Sequence, residues 1–129
     1  VVREGRDATV VAIGAMVRRA QLAAEALAKE GVEIEILDLR CIVPLDKERI
    51  LTSVAKTGRL VVVSEAMKFC GSASEIAAMV AEEGFRFLKA PIARVATPNV
   101  PIPFARNLEK MIIPDENSIA AAVRGAMKG

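Results

Sequence analysis

The sequence predicts an α/β fold, a three-layer α/β/α sandwich around a mostly parallel sheet. Short apolar runs alternate along the chain with longer segments whose apolar residues recur at helical spacing. Two of the runs, residues 9–13 and 60–63, are almost wholly apolar, as in parallel strands covered on both faces. With 129 residues and 53% hydrophobic content, we expect one domain over residues 1–129.

The first half of the chain predicts two strand–helix units. The apolar run 9–13 ends at Gly14, and a helix with an alanine-rich face is expected over 16–30, with Gly31 as its left-handed C-cap. Residues 32–37 alternate in polarity, which predicts a strand near the sheet edge with one face partly solvated. Asp46 is placed to cap a helix that ends at Thr57-Gly58.

The second half continues the pattern. After the strand at 60–63, Ser72 and Glu75 have the spacing of a capping box at a helix start. Residues 93–96 give another short strand, and a last helix is expected from Pro114-Asp115. The two apolar runs should be adjacent at the centre, with the other two strands outside them. This order creates a switch point at the carboxyl ends of the central strands.

The switch point is the first place to look for a ligand. We expect Gly14 and Glu65 in the two loops there, and each has two interpretations. Gly14 either serves a tight turn or lines a ligand site, although it lacks the glycine-rich pattern of a phosphate loop. Glu65 is the best candidate for a functional carboxylate, or it has a structural role, with Arg40 at another strand end as its partner.

Composition argues against several classes of function. The net charge is +2 and the aromatic content 3%, which argues against nucleic acid as a partner. No apolar stretch approaches the roughly 20 residues of a membrane span, so we expect no membrane contact and a cytosolic or organellar location. There is no His, and Cys41 and Cys70 are far apart in sequence, so we expect buried free thiols and no metal or catalytic residue.

One loop is unusual. Pro98, Pro101 and Pro103 predict an extended, ordered surface segment, because proline cannot donate ladder hydrogen bonds. The apolar segment that ends at Phe104 either packs in the core or forms an exposed patch for assembly. The same two interpretations apply to residues 85–88, where core packing is the default.

Several segments in order resemble the C-terminal domain of transketolase-like enzymes, and specifically of the beta subunit of thiamine-diphosphate-dependent 2-oxo acid dehydrogenases. Residues 36–46 resemble I-x-D-L-R…P-L-D, and residues 56–66 resemble K-T-G-R-L-V-V-V-x-E. Residues 71–77 are similar to G-x-x-x-E-I-A, and residues 100–109 to V-P-x-P…N-L-E. The resemblance covers essentially the whole chain. Because the chain begins with Val, we expect it to be part of a longer subunit.

The resemblance implies a five-stranded sheet whose edge strand, Val1 to Arg3, is antiparallel. It also implies an assembly role, with no catalytic or cofactor-binding residue in this chain, while thiamine diphosphate and magnesium are bound by other domains of the parent enzyme. The implied partners are the alpha subunit, a second beta subunit, and the acyltransferase core through its peripheral subunit-binding domain. The parent would decarboxylate a 2-oxo acid oxidatively and transfer the acyl group to lipoamide.

Two alternatives remain open. The parent could be a transketolase or a deoxyxylulose-phosphate synthase, in which a diphosphate-binding segment precedes this domain in the same chain. Alternatively, the chain could be a freestanding α/β module that binds a small ligand in the crevice between Gly14 and Glu65.

Overall fold

A computed structural model describes all residues from 1 to 129. The elements, in chain order, are β1 (Ala8–Ala12), α1 (Met16–Ala28), β2 (Ile34–Asp38), α2 (Lys47–Thr57), β3 (Leu60–Met67), α3 (Ser72–Glu83), a 3-10 turn (Phe85–Phe87), β4 (Ala93–Thr97), α4 (Arg106–Ile112) and α5 (Glu116–Lys128). None of the helices is both long enough and apolar enough to cross a membrane.

The strand order β2-β1-β3-β4, with every pair parallel, confirms the predicted sheet and its switch point between β1 and β3. Successive side chains of the central strands point to opposite faces of the sheet and pack in two separate hydrophobic cores. Val10, Val61 and Val63 pack with α1 and α5 on one face, whereas Val11 and Val62 pack with α2 and α3 on the other. Both faces are therefore covered, which explains the almost wholly apolar runs of β1 and β3.

The structure beside the outer edge of β2 differs from the expected fifth strand. In place of a fifth strand there is one antiparallel bridge, in which Val2 N–H donates to Ile36 O at 2.8 Å and Ile36 N–H donates to Arg3 O at 2.9 Å. The chain then crosses β2 at Gly5, where a Cβ atom would lie 2.1 Å from the Ile34 carbonyl carbon. The predicted antiparallel direction is correct, but the sheet has four strands.

The solvated face predicted for β2 is also wrong. Glu35 is buried, at 3% exposure, because α2 covers this face and Lys56 pairs with the carboxylate. Alternation in polarity correctly located the strand at the edge of the parallel sheet, but the polar Glu35 is a buried carboxylate paired with a half-exposed lysine and does not face solvent.

Most predicted helix ends are confirmed. Asp46 accepts the Arg49 N–H at 3.1 Å, Gly58 closes α2 with a left-handed φ of 75°, and Asp115 forms a capping box with Ser118. Gly31 is left-handed as well, although it lies beyond the C-cap of α1, Lys29. The box predicted at Ser72 is wrong, because Gly71 precedes α3 without a side-chain cap.

Candidate interaction surface at the carboxyl edge of the sheet

The switch point lies beside an open groove of about 500 Å³ between β3, α4 and the N-termini of α1 and α5. Gly14, with a φ of 59°, makes the left-handed turn from β1 toward α1. Glu65 lines the groove from an exposed position, but it lies within β3 and not in the expected loop, because the strand continues to Met67. The structure thus brings the ends of the two central strands to one edge, as predicted.

The groove carries charges of both signs. Arg19 pairs with Glu116 at 2.8 Å, and Lys110 and Glu109 contribute further charges from α4. No three His, Cys, Asp or Glu side chains are grouped as they would be to hold a metal ion. The arrangement can make charged and polar contacts with another surface.

Arg40 does not pair with Glu65. Its guanidinium lies 3.2 Å from Asp38, the last residue of β2, and lines a different groove of about 460 Å³ together with Val1 and Val2. Strand β1 lies between β2 and β3, so the two strand ends are not neighbours. The predicted Arg40–Glu65 pair is therefore wrong within this chain.

The proline-rich loop has no regular secondary structure between β4 and α4 and lies on the surface, as predicted. Pro101 is exposed, Pro103 is half-buried and Phe104 is fully exposed. The core-packing interpretation of this segment is thus wrong. In residues 85–88 the outcome is mixed, because Phe85 is exposed whereas Phe87 packs against the core beside α2 and α3.

Exposed apolar side chains are concentrated at this edge of the sheet. Of the twelve large exposed apolar residues, nine follow the carboxyl ends of β2, β3 and β4 or end β3 itself. They are Ile42, Val43, Met67, Phe69, Val100, Ile102, Phe104, Leu108 and Met111. We call these nine residues the apolar edge. A concentration of this kind is typical of surfaces that contact another protein.

The thiols are exposed and not buried as expected. Cys41 follows β2, where its Sγ donates to Val43 O at 3.1 Å, and Cys70 follows β3 with a left-handed φ of 55°. Sequence reasoning also missed α4 and the extension of β3. Residues 104–112 contain apolar residues at helical spacing, at 104, 108, 111 and 112, which was the available signal.

The model of the family described as "Transketolase, C-terminal domain" matches residues 1–119. The chain belongs to this family. Within it, the chain is 51% identical over its whole length to the acetoin:2,6-dichlorophenolindophenol oxidoreductase subunit beta of Cupriavidus necator, of which it covers 38%. It is 46% identical, over 96% of its length, to the mitochondrial pyruvate dehydrogenase E1 component subunit beta-1 of Arabidopsis thaliana, of which it covers 34%.

A solved structure of this family's fold is a split-gene transketolase described as an inactive beta4 tetramer. It superimposes with a TM-score of 0.84 at 29% identity and is covered over 40% of its length, while 98% of this chain is matched. The chain thus spans little more than a third of the length of the curated relatives named above. The family resemblance inferred from the sequence motifs is confirmed.

Proposed function

We propose that this chain is the C-terminal assembly domain of the beta subunit of a thiamine-diphosphate-dependent 2-oxo acid dehydrogenase. The parent enzyme oxidatively decarboxylates a 2-oxo acid and transfers the acyl group to lipoamide. The identities of 51% and 46% to beta subunits of acetoin and pyruvate enzymes support this parent. They exceed the 29% identity to the split-gene transketolase and so favour a dehydrogenase over a transketolase parent.

The apolar edge is the observation that supports an assembly role. Its side chains are held on strand ends, a proline-stiffened loop and a short helix, and they remain exposed in the isolated domain. Burial of apolar surface contributes about 25 cal/mol per Å². Contact with another subunit would bury these side chains and so stabilise the complex. Stiffening by proline lowers the entropy lost when such a loop docks.

The partners that we propose are the alpha subunit and a second beta subunit, with the acyltransferase core contacted through its peripheral subunit-binding domain. The charges beside the apolar edge are mixed in sign, with Glu65, Glu109, Arg19 and Lys110 lining one groove. Such a polar rim around apolar residues is the usual anatomy of a protein interface.

The groove at the switch point does not fit thiamine diphosphate and magnesium. Its lining carries the four carboxylates of Glu65, Glu109, Asp115 and Glu116 against the two cations of Arg19 and Lys110, so its net negative charge opposes a diphosphate. Gly14 also stands alone where a phosphate loop needs several glycines. We therefore place the cofactor of the parent enzyme in other domains and derive no step of its chemistry from this one.

The experiment uses the full beta subunit that carries this domain, co-expressed with its alpha subunit. We expect Phe104→Asp to reduce the recovery of the assembled enzyme, whereas Phe85→Asp, which changes an exposed phenylalanine outside the apolar edge, should not. The 129-residue chain alone should show no 2-oxo acid decarboxylation with thiamine diphosphate. Turnover by the isolated chain, or assembly unaffected by Phe104→Asp, would overturn the proposal.

A further inference from the structure

We propose that residues 1–6, here called the strap, are a detachable cover over the outer edge of β2. Ion pairs hold the strap in place, and it is released while the rest of the domain stays folded. Asp7, which joins the strap to β1, is the hinge. The inference does not depend on the proposed function, because it concerns contacts within this chain alone.

The strap is not anchored by apolar burial. None of its residues is buried, and none packs against either hydrophobic core. Its apolar residues at the start, Val1 and Val2, are 53% and 40% exposed. Because apolar burial is the largest favourable contribution to folding, a segment without it detaches at a lower free energy than the elements of the core.

Few backbone hydrogen bonds join the strap to the sheet. Val2 N–H donates to Ile36 O at 2.8 Å, and Ile36 N–H donates to Arg3 O at 2.9 Å. Arg6 N–H donates to Glu33 O at 2.9 Å, just before β2. A regular fifth strand would add a ladder of such bonds along β2, whereas the strap forms a single bridge. The backbone attachment is therefore short.

Two ion pairs add the side-chain contacts of the strap. Arg3 Nη2 donates to Glu33 Oε2 at 2.7 Å, and Lys56 Nζ on α2 donates to Glu4 Oε2 at 3.2 Å. Both pairs are open to solvent, with side-chain exposures of 32% and 39% in the first and of 44% and 78% in the second. Added salt weakens ion pairs of this kind. The hold on the strap therefore depends on ionic strength.

The attachment also carries a cost at Arg3. Its Nε atom is buried without a hydrogen-bond partner. A buried donor without an acceptor costs free energy, and this cost disappears when water reaches the atom. Detachment of the strap removes it, which lowers the free energy needed to open.

Asp7 is fixed more firmly than the strap, which places the hinge there. Its N–H donates to Glu33 O at 2.9 Å, and its carboxylate accepts the Glu33 N–H at 2.7 Å. Its carbonyl accepts a hydrogen bond from Arg59 Nη1 at 3.3 Å, while Arg59 Nε donates to Ala126 O in α5. None of these contacts involves the strap, so they remain when it detaches and β1 stays in place.

Detachment would uncover the outer edge of β2. The N–H and carbonyl of Ile36 would lose their partners, and an uncovered strand edge can pair with another extended segment. Val1 and Val2 would also leave the groove that they line together with Arg40. The strap thus protects the edge of the sheet, and its ion pairs control how often that edge is open.

Amide hydrogen exchange of the 129-residue chain, followed by NMR, tests the proposal. The Ile36 amide reports on the strap because it donates to Arg3 O, whereas the Val11 amide, in the fully buried centre of β1, reports on unfolding of the whole domain. Relative to intrinsic rates, we expect Ile36 to exchange on the order of tenfold faster than Val11 or more. Raising NaCl from about 0.01 to about 1 M shortens the screening length from about 30 to about 3 Å and should accelerate Ile36 about threefold or more.

A double variant isolates the two ion pairs. Glu4→Gln combined with Glu33→Gln removes one carboxylate from each pair, so exchange of the Ile36 amide at low salt should accelerate about threefold or more and lose most of its salt dependence. The matched control is Glu48→Gln combined with Glu82→Gln, at exposed positions of α2 and α3 outside these pairs. It changes the net charge by the same amount and should leave the exchange of Ile36 unchanged.

Two results would contradict the proposal. Equal protection of Ile36 and Val11 would show that the strap is released only when the whole domain unfolds. Exchange of Ile36 that responds neither to salt nor to the double variant would show that backbone hydrogen bonds hold the strap without the ion pairs. Neither result bears on the assembly role, which Phe104→Asp tests separately.

Discussion

Lys56 on α2 pairs with Glu35 on β2, and this ion pair lies where the sequence predicted a solvated strand face. Burial raises the pKa of Glu35, but hydrogen bonds from Lys56 and Ser53 outweigh it, so that the pKa lies below the ordinary 4.5. Glu4 is the second acidic partner of the Lys56 ammonium, at 3.2 Å. The pair therefore ties the N-terminal segment, β2 and α2 together.

Glu35→Gln should destabilise the domain at neutral pH. The variant keeps the shape of the side chain but removes the charge of a buried carboxylate whose partner, Lys56, is 44% exposed. Because solvent screens such a half-exposed pair, we expect a loss of about 1 kcal/mol of unfolding free energy. Because the folded-state pKa of Glu35 is lowered, its contribution is present above the unfolded pKa of about 4.5 and is lost as pH falls through the folded value.

Urea unfolding at several pH values checks this prediction. The difference between the parent chain and Glu35→Gln should be largest near neutral pH and should shrink below about pH 4. The control is Glu48→Gln, at an exposed position of α2, the helix that carries Lys56. It should change the free energy of unfolding little at any pH. A difference that is independent of pH down to pH 2 would contradict the assignment.

The hydroxyl of Thr9 joins two other buried hydroxyls beneath α2. Its Oγ1 lies 2.7 Å from Ser53 Oγ and 2.8 Å from Thr57 Oγ1. Thr9→Val removes both of these hydrogen bonds, but Thr57 Oγ1 still donates to Arg59 O at 3.2 Å and Ser53 is still hydrogen-bonded to Glu35. We therefore expect a loss of about 1 kcal/mol of unfolding free energy. Thr52→Val, on the exposed side of the same helix, should stay within about 0.5 kcal/mol of the parent chain in denaturant unfolding.

Two glycine-to-alanine substitutions should change the free energy of unfolding in opposite directions. Gly58→Ala must adopt a φ of 75°, and its Cβ would lie 2.6 Å from Lys89 Cδ, so we expect a loss of about 1 kcal/mol or more. Gly125 lies inside α5 with open space around its Cα, so Gly125→Ala should stabilise the helix by about 0.5–1 kcal/mol. Thermal unfolding of both variants checks this prediction. A shift of the melting temperature in the same direction for both would contradict it.

The capping box of α5 should be sensitive to acid. The backbone N–H of Ser118 donates to the Asp115 carboxylate at 2.8 Å and holds the pKa of that carboxyl below its usual 3.8. Asp115→Ala should cost about 0.5–2 kcal/mol at neutral pH. This contribution is present above the unfolded pKa and lost as pH falls through the lower folded value. Lys128→Ala, at an exposed position at the other end of the same helix, serves as the control in the same pH series of unfolding measurements.

The hydrogen bonds of Arg94 should govern the order of residues 67–71, the turn from the end of β3 to α3. Arg94→Met retains the aliphatic stem but removes the donors to Lys68 O and Ser74 Oγ. We expect faster hydrogen exchange of the amides of residues 68–70, with little change in the centre of β1. Equal exchange of these amides in both proteins would show that the hydrogen bonds of Thr97 are sufficient to order this turn.

The parts of the fold that follow from neighbouring residues could be predicted from the sequence. Apolar runs located β1 and β3 at the centre, and Asp46, Gly58 and Asp115 marked helix ends because caps are formed within one helical turn. The ordered motifs identified the family. The antiparallel direction of the bridge at Arg3 followed from that resemblance, while periodicity alone did not indicate it.

Only the tertiary structure decided the remainder. The turn at Lys68 depends on Thr97, and the close crossing at Gly5 depends on Ile34. Each pair is 29 positions apart in sequence, a separation that no local pattern reports. The burial of Glu35 and the exposure of Cys41 and Cys70 likewise depend on which surfaces α2 and the strand ends cover. The sequence by itself determined the strand order and the family. The three-dimensional packing decided which side chains remain free at the carboxyl edge, because burial is a property of the assembled layers and not of the local chain.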